Sequence, residues 1–296
     1  MAKTYRGIDI SRYQGNPDFT KVKTAVDFCI IQAGYGKYAK QVDSSFERNY
    51  AECKKHGIPV GVYWFSYATT VEDAKKEAEA CLSVIKGKQF EYPVYFDVEG
   101  DALTTKATVS ACCKAFCNTL EKAGYYTGIY ISRSPAQTYL DNTCITKYAL
   151  WLAEYDSKLN WNGDVGIWQY SSSGSVPGIS GNVDMDTSYI DYKSIIVNGG
   201  YNGFPKKKDQ PKKESSKILD KTGFKKGARN AGILAYKELL LQAKEKGLIK
   251  ASISEDTGFG DGTTKATNEL LKKFGYKQTG VMGPNLVKLL AKELRK

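Results

Sequence analysis

One histidine occurs in the 296 residues, at position 56. A Ser-His or Cys-His nucleophile would have to use it, because each needs an imidazole beside the hydroxyl or thiol. His56 instead precedes Gly57 at the end of a helical pattern, where a cation complements the helix dipole. Peptide-bond hydrolases of the Cys-His kind are therefore disfavoured. The same scarcity argues against a zinc site: no paired ligand spacing is present, and neither a metal nor a cofactor is expected. Seven cysteines are scattered without any Cys-x-x-Cys. Their odd number and irregular spacing read as reduced thiols buried as small apolar groups. No apolar run approaches the ~20 residues of a membrane helix, so no membrane partner is expected. The stretch Met1 to Ile10 has no apolar h-region. The expectation is a protein made in a cytoplasm without an export signal of its own.

Net charge is also missing from the first two thirds. Residues 1–199 hold 21 Lys+Arg against 22 Asp+Glu, whereas residues 200–296 hold 22 against 10. The whole +11 therefore belongs to the last third. A basic appendage on a neutral body points to an anionic partner: a cell-wall polymer, a nucleic acid or a membrane surface.

The stretch around which the rest is organised runs from Tyr92 to Gly100. It reads as a strand in which Val94, Phe96 and Val98 point one way and Tyr95, Asp97 and Glu99 the other. Two adjacent carboxylates repel, and one can keep its proton near neutral pH. A protonated acid beside an ionised one is the chemistry that breaks glycosidic bonds. Alone, Asp-x-Glu fits a pair of solvated acids at a strand end equally well.

Eight strand-like runs precede residue 190: 6–10, 28–34, 59–66, 92–98, 127–132, 149–154, 165–170 and 182–186. Helical patterns at 17–26, 43–56, 70–85, 105–123 and 134–140 follow several of them, and 155–164 and 171–181 read as loops. Strands alternating with helices imply a parallel sheet. Eight of them imply an α/β fold, an irregular (β/α) barrel with helices missing from its later turns. Such barrels place their sites at the C-terminal strand ends. That rule gathers Asp9, Asp97, Glu99 and Asp184 at one mouth, with Tyr35, Tyr63, Phe65, Tyr67, Trp168, Gln169 and Asp186 around them. Aromatic walls suit the apolar faces of sugar rings, although any single tyrosine also fits ordinary packing.

Five stretches carry a resemblance. They are Gly7-Ile8-Asp9-Ile10-Ser11 with Tyr13-Gln14-Gly15, Gly61-Val62-Tyr63-Trp64-Phe65, Tyr95-Phe96-Asp97-Val98-Glu99, Ile167-Trp168-Gln169-Tyr170 and Gly181-Asn182-Val183-Asp184. Together they make residues 4–195 resemble the glycoside hydrolase family 25 lysozymes, many of them encoded by bacteriophages. The resemblance implies cleavage of the β-1,4 bond from N-acetylmuramic acid to N-acetylglucosamine in bacterial peptidoglycan. It implies Glu99 as general acid and Asp97 as its ionised neighbour. Asp97 would either orient the substrate's acetamido group for attack on the anomeric carbon, or an aspartate would attack directly. Asp9 and Asp184 would set the charge around the pair. Two departures are Trp64, where many members have His, and Asp186, where Asn is common; both are expected to affect the rim.

The stretch 198–222 is rich in glycine, proline, lysine and serine and reads as a flexible basic linker between a catalytic domain at 1–197 and a helical one at 223–296. Helical patterns at 231–245, 263–274 and 284–294 make a small three-helix domain, with Leu234, Leu239, Leu240 and Ala243 as the apolar side of the first. Phe259-Gly260-Asp261-Gly262-Thr263 and Gly280-Val281-Met282-Gly283-Pro284-Asn285 resemble the three-helix peptidoglycan-binding modules found beside wall hydrolases; a generic bundle with basic faces is the plainer reading. The implied whole is a phage endolysin released to the wall with a holin's help, its C-terminal domain holding peptidoglycan or an anionic wall polymer. A non-catalytic wall-binding protein is the alternative. Nucleic-acid binding is not expected, because no aromatic-interleaved basic motif is present.

Overall fold

Alternating branched and aromatic residues form eight strands: β1 (Tyr5–Ile10), β2 (Phe28–Tyr35), β3 (Val60–Phe65), β4 (Val94–Asp97), β5 (Thr127–Ser132), β6 (Ala149–Ala153), β7 (Ile167–Gly174) and β8 (Val183–Ser188). In the computed structural model, which describes residues 3–205 and 217–294, they close into a barrel in sequence order. β1 to β7 pair with their neighbours in parallel. The all-parallel expectation fails at β8, which is antiparallel to both β7 and β1. The cause is connection length. A parallel return needs roughly a dozen residues or more, usually with a helix, and residues 175–182 are too few. The chain therefore turns straight back, and β7 runs on to Gly174, into the expected loop.

Seven helices accompany the barrel among the described residues: α1 (Phe19–Val22), α2 (Phe46–His56), α3 (Val71–Ile85), α4 (Lys106–Lys122), α5 (Arg133–Tyr139), α6 (Asn142–Lys147) and α7 (Tyr192–Gly199). Their starts follow capping chemistry. The Thr70 and Thr105 side chains accept from the backbone N–H groups of Asp73 and Thr108, filling donors the helix leaves open. α2 ends on Gly57 at φ 67°, a left-handed position that suits glycine. The His56 imidazole there lies 3.2 Å from Glu52. α6 and α7 lie outside the sequence expectation; six residues are too few for α6 to display a helical period.

Two apolar layers hold the barrel. Outside the sheet, Ile8, Ile10, Val94, Phe96 and Val98 pack under the helices. All seven cysteines are buried as free thiols. Inside, the floor is aromatic: Phe28 stacks on Tyr92 at 4.3 Å, and Tyr192 of α7 meets Tyr92 edge-on at 5.6 Å. Gly7 makes room for this floor, since a Cβ there would come within 2.1 Å of the Phe28 ring. Gly128 does the same for Tyr95.

The expected boundary at 197 falls inside α7. Residues up to Pro205 belong with the barrel, because Asn202 is buried and laced into it. Its Oδ1 accepts from the Tyr126 N–H at 2.7 Å, and its Nδ2 donates to Tyr92 O at 2.8 Å and Phe90 O at 3.2 Å. At the other end of the expected linker, Asp220 accepts from Leu286 N–H at 3.0 Å and from Asn285 Nδ2 at 2.9 Å, so it belongs to the helical unit. The chain divides into two compact units at position 208. The lysine-rich stretch 206–216 lies outside the described residues.

The second unit holds α8 (Ala231–Glu245), α9 (Asp261–Lys273) and α10 (Pro284–Leu294) around Ile233, Tyr236, Leu240, Phe259, Leu270 and Leu286. Leu234, assigned to the apolar side, is exposed instead. The buried stripe of α8 follows Ile233, Tyr236, Leu240 and Ala243, at helical spacing one position away. That stripe also buries Lys237, whose ammonium lies 2.9 Å from Asp256.

Candidate active site

The C-terminal ends of the strands open on a cavity of about 260 Å³. Asp9, Asp97, Glu99 and Asp184 all line it, with Tyr13, Gln32, Tyr63, Phe65, Tyr130, Trp151, Tyr155 and Gln169. Strand alternation delivers each acid. Asp9 faces inward between Ile8 and Ile10, which pack outward. Asp97 is the last residue of β4, and Glu99 caps the short 3-10 turn Gly100–Ala102 that follows. Asp184 stands directly opposite Asp9 in the β1–β8 ladder.

Gln169 ties the site together. Its Nε2 donates to Asp9 Oδ2 at 2.7 Å, while its Oε1 accepts from Tyr130 OH at 2.8 Å and Tyr155 OH at 3.0 Å. Below it, Trp151 Nε1 donates to Asp186 Oδ1 at 2.8 Å.

Several expected site residues lie elsewhere. Trp168 points away from the cavity, as its place next to inward-facing Gln169 requires. It packs into the outer layer and donates its indole N–H to Glu154 O at 2.7 Å. Tyr35 and Tyr67 are not on the lining; they meet edge-on at 6.3 Å, and Tyr67 packs on Phe65. Asp186 is fully buried under the cavity, not at its rim. Trp64 does not line the cavity either: it is buried in the outer layer, its Nε1 donating to Gly36 O at 2.9 Å. Conversely, Tyr13, Gln32, Tyr130, Trp151 and Tyr155 line the cavity although the sequence does not mark them as site residues, Tyr13 entering only within the first of the five stretches. Strand alternation carried the signal for Gln32, Tyr130 and Trp151, which share the inward face of their strands. Tyr13 sits in the short 3-10 helix Arg12–Gln14 and Tyr155 in the irregular segment after β6, where no such period applies.

No lysine or arginine forms an ion pair with any of the five acids among the described residues. Burial therefore acts on them unopposed by cations and favours their neutral forms. It raises Asp97 well above the usual carboxylate range, with the Glu99 charge adding to it. Burial also raises Glu99, helped by Asp184. Asp9 is raised well above its ordinary value by burial and then by Asp186 and Asp184. Burial lifts Asp186 to about 8.

The expectation of an ionised Asp97 beside a protonated Glu99 meets a physical obstacle here. Asp97 is 4% exposed, against a half-buried Glu99, and its buried Oδ1 has no hydrogen-bond partner. An N–H brought to the Asp97 carboxyl would favour the ionised form.

Comparison with known proteins agrees with this geometry. Residues 8–179 match the model of glycosyl hydrolases family 25. The autolytic lysozyme of Clostridium acetobutylicum is 32% identical over 197 residues, 66% of this chain and 58% of that protein. The modular autolysin LytC from Streptococcus pneumoniae, solved with a synthetic peptidoglycan ligand, aligns with a TM-score of 0.57 at 32% identity, covering 62% of this chain and 46% of that one. The CTP1L endolysin aligns with a TM-score of 0.58 at 26% identity, over 64% of this chain and 68% of that one. This chain thus spans only about half the length of the first two relatives, and the likeness is to their shared domain. With more than half its length matching the family model and the acids gathered at one barrel mouth, the chain belongs to glycosyl hydrolases family 25.

Proposed function

We propose that the chain is a muramidase of the endolysin kind, cutting the β-1,4 bond between N-acetylmuramic acid and N-acetylglucosamine. The observation that carries this is the convergence of Asp9, Asp97, Glu99 and Asp184 on one aromatic-walled cavity. The names of the relatives, an autolytic lysozyme, an autolysin with a peptidoglycan ligand and an endolysin, support the substrate and the role.

Glu99 stands at the mouth, half-buried and raised, where a carboxylic acid can give its proton to the leaving glycosidic oxygen. Asp97 lines the cavity, so its carboxyl presents an acceptor at the wall. The N–H of a substrate acetamido group fits it: that bond favours the ionised form, so Asp97 gives its proton to solvent as the substrate binds and turns the acetamido oxygen toward the anomeric carbon. That oxygen forms a bond to carbon as the glycosidic bond breaks. Glu99, now a carboxylate, takes a proton from the water that opens the ring intermediate. Asp9 and Asp184 stabilise the positive charge that develops on the sugar.

The basic helical unit is proposed as a wall tether, for peptidoglycan or an anionic wall polymer. Its net charge and the Phe259–Thr263 and Gly280–Asn285 segments support that role. Action at the wall follows release from a host cytoplasm, in keeping with the endolysin neighbour. The test is Glu99→Gln, which cannot donate a proton: release of reducing ends from purified walls should fall ~10²–10⁴-fold with folding intact. Wild-type turnover by that variant would remove Glu99 from the acid role.

A further inference from the structure

Asp186 is the one acid of the cluster that the proposed reaction does not use. It is fully buried below the cavity, and its Oδ1 is occupied by the Trp151 N–H. Its Oδ2 is buried and has no N–H or hydroxyl donor. The strand register shows what lies beside it. Asp186 stands opposite Gly7, which has no side chain, so Asp9, two positions along, is its next neighbour on that face of β1. The register makes the two side chains diagonal neighbours on the inward face, and Asp186 adds to the rise of Asp9. Asp9 Oδ2 is taken by Gln169, as Asp186 Oδ1 is by Trp151. Each carboxyl thus has one oxygen filled by a neutral N–H and another carboxyl beside it. Two neighbouring anions, buried and without a cation, are strongly disfavoured, whereas one shared proton lets the pair form a hydrogen bond.

We propose that Asp9 and Asp186 form a carboxylic acid–carboxylate pair holding one proton between them, which makes Asp186 the positioning residue that fixes Asp9 at the cavity wall. The pair then carries a single negative charge. This rests on the carboxylate site of the proposed function, and adds a residue beneath it. The titratable groups facing the pair reinforce the need for the proton. Asp184 lies beside it on β8, Tyr63 and Tyr95 lie on β3 and β4, Tyr130 on β5 and Tyr155 after β6, while Cys29 of β2 and Tyr170 of β7 lie across the sheet on its outer face. All gain negative charge on ionising, so none can neutralise a second carboxylate. The raised values of both partners agree with a proton retained through neutral pH.

The test uses the full chain and three variants. In Asp186→Asn the amide oxygen can accept from Trp151 and the amide N–H can donate to Asp9. It should keep wall hydrolysis within about threefold of wild type, because the hydrogen-bond pattern survives. Asp186→Leu leaves Asp9 without that partner and should lose at least ~10-fold even when circular dichroism shows it folded. The infrared spectrum supplies a readout that a purely structural role would not move. At neutral pH, wild type should show protonated-carboxyl C=O absorption of which the share from the pair, beside that of Asp97 and Glu77, is lost in Asp186→Asn and retained in Glu99→Gln. The pH dependence of thermal unfolding gives the same sign. A carboxyl raised from 3.8 to about 8 in the fold binds its proton more tightly there, so stability falls as pH rises through that window. Asp186→Asn should flatten the fall. Identical infrared bands and pH slopes in wild type and Asp186→Asn would overturn the pairing. The spectra need no substrate, so they stand even if walls are not cut. A wild type that leaves walls intact would instead refute the muramidase reading.

Discussion

Gln169→Leu tests whether the site is held by one polar junction. Leucine keeps most of the side-chain volume and removes both the amide donor and the carbonyl acceptor. Three hydrogen bonds go: to Asp9 at 2.7 Å, from Tyr130 at 2.8 Å and from Tyr155 at 3.0 Å. They are not equal. Tyr155 is 58% exposed, so water replaces its partner and its bond is discounted. Tyr130 is 8% exposed and Asp9 7%, so both are left short of a partner inside the barrel. A bond to a charged group contributes about 1.5–3 kcal/mol and a neutral one about 0.5–1.5, which gives roughly 2–4 kcal/mol for this substitution. In a domain of this size each kcal/mol moves the midpoint by about 2–4 °C, so the barrel transition should fall by roughly 4–16 °C. Turnover should fall further than stability explains, by ~10–10² at a temperature where the variant is fully folded, because Asp9 loses its anchor. Calorimetry together with reducing-end release checks both. A midpoint within 1 °C of wild type with turnover within about twofold would refute the junction, since the lost bonds would then have been worth nothing.

Asp97→Asn should cut turnover nearly as far as Glu99→Gln, ~10²-fold or more, because an amide cannot become the anion that holds an acetamido N–H; reducing-end release measures it. Glu77, lifted to about 7 by burial, accepts from the Tyr67 N–H at 2.9 Å at the start of the β3–α3 connection. Its proton is held more tightly in the fold, so the stability it contributes is present below pH 4.5 and is lost as pH rises through 7. Glu77→Gln should reduce that slope in thermal unfolding followed from pH 4 to 8, and an unchanged slope would remove Glu77 as its source. Truncation after Pro205 should leave a folded barrel that still cuts soluble glycan, while residues 217–296 alone should sediment with walls at low salt and cut nothing. Cutting before Asn202 instead should destabilise the barrel by several kcal/mol, because two carbonyls and an N–H lose a buried partner.

Much of the fold was legible because its signals are local. Period-two alternation located all eight strands and turned Asp9, Asp97 and Asp184 inward without reference to any partner. What escaped was set by connection length and by tertiary contact. The direction of β8 depends on how few residues separate it from β7. The end of the barrel domain depends on Asn202 reaching Phe90, Tyr92 and Tyr126, over a hundred positions earlier for the first two. A glycine-rich stretch with that one anchor reads as a linker until the anchor is seen. Trp168 was placed at the site because it lies beside Gln169. Adjacent strand residues face opposite ways, so only one of them can line the cavity. Asp186 shared the inward face with Asp184, but depth along the barrel axis separates a lining residue from one beneath it. Leu234 shows the same limit on a helix: an apolar residue next to the stripe is not in it.

The central claim is the bond that is cut. Purified peptidoglycan digested with the full chain, then reduced with borohydride and separated, yields fragments whose masses identify the new reducing end. The account predicts that end to be N-acetylmuramic acid, with stem peptides intact, and predicts that Glu99→Gln releases no such fragments. New reducing ends on N-acetylglucosamine, or free peptides with unbroken glycan strands, would contradict it.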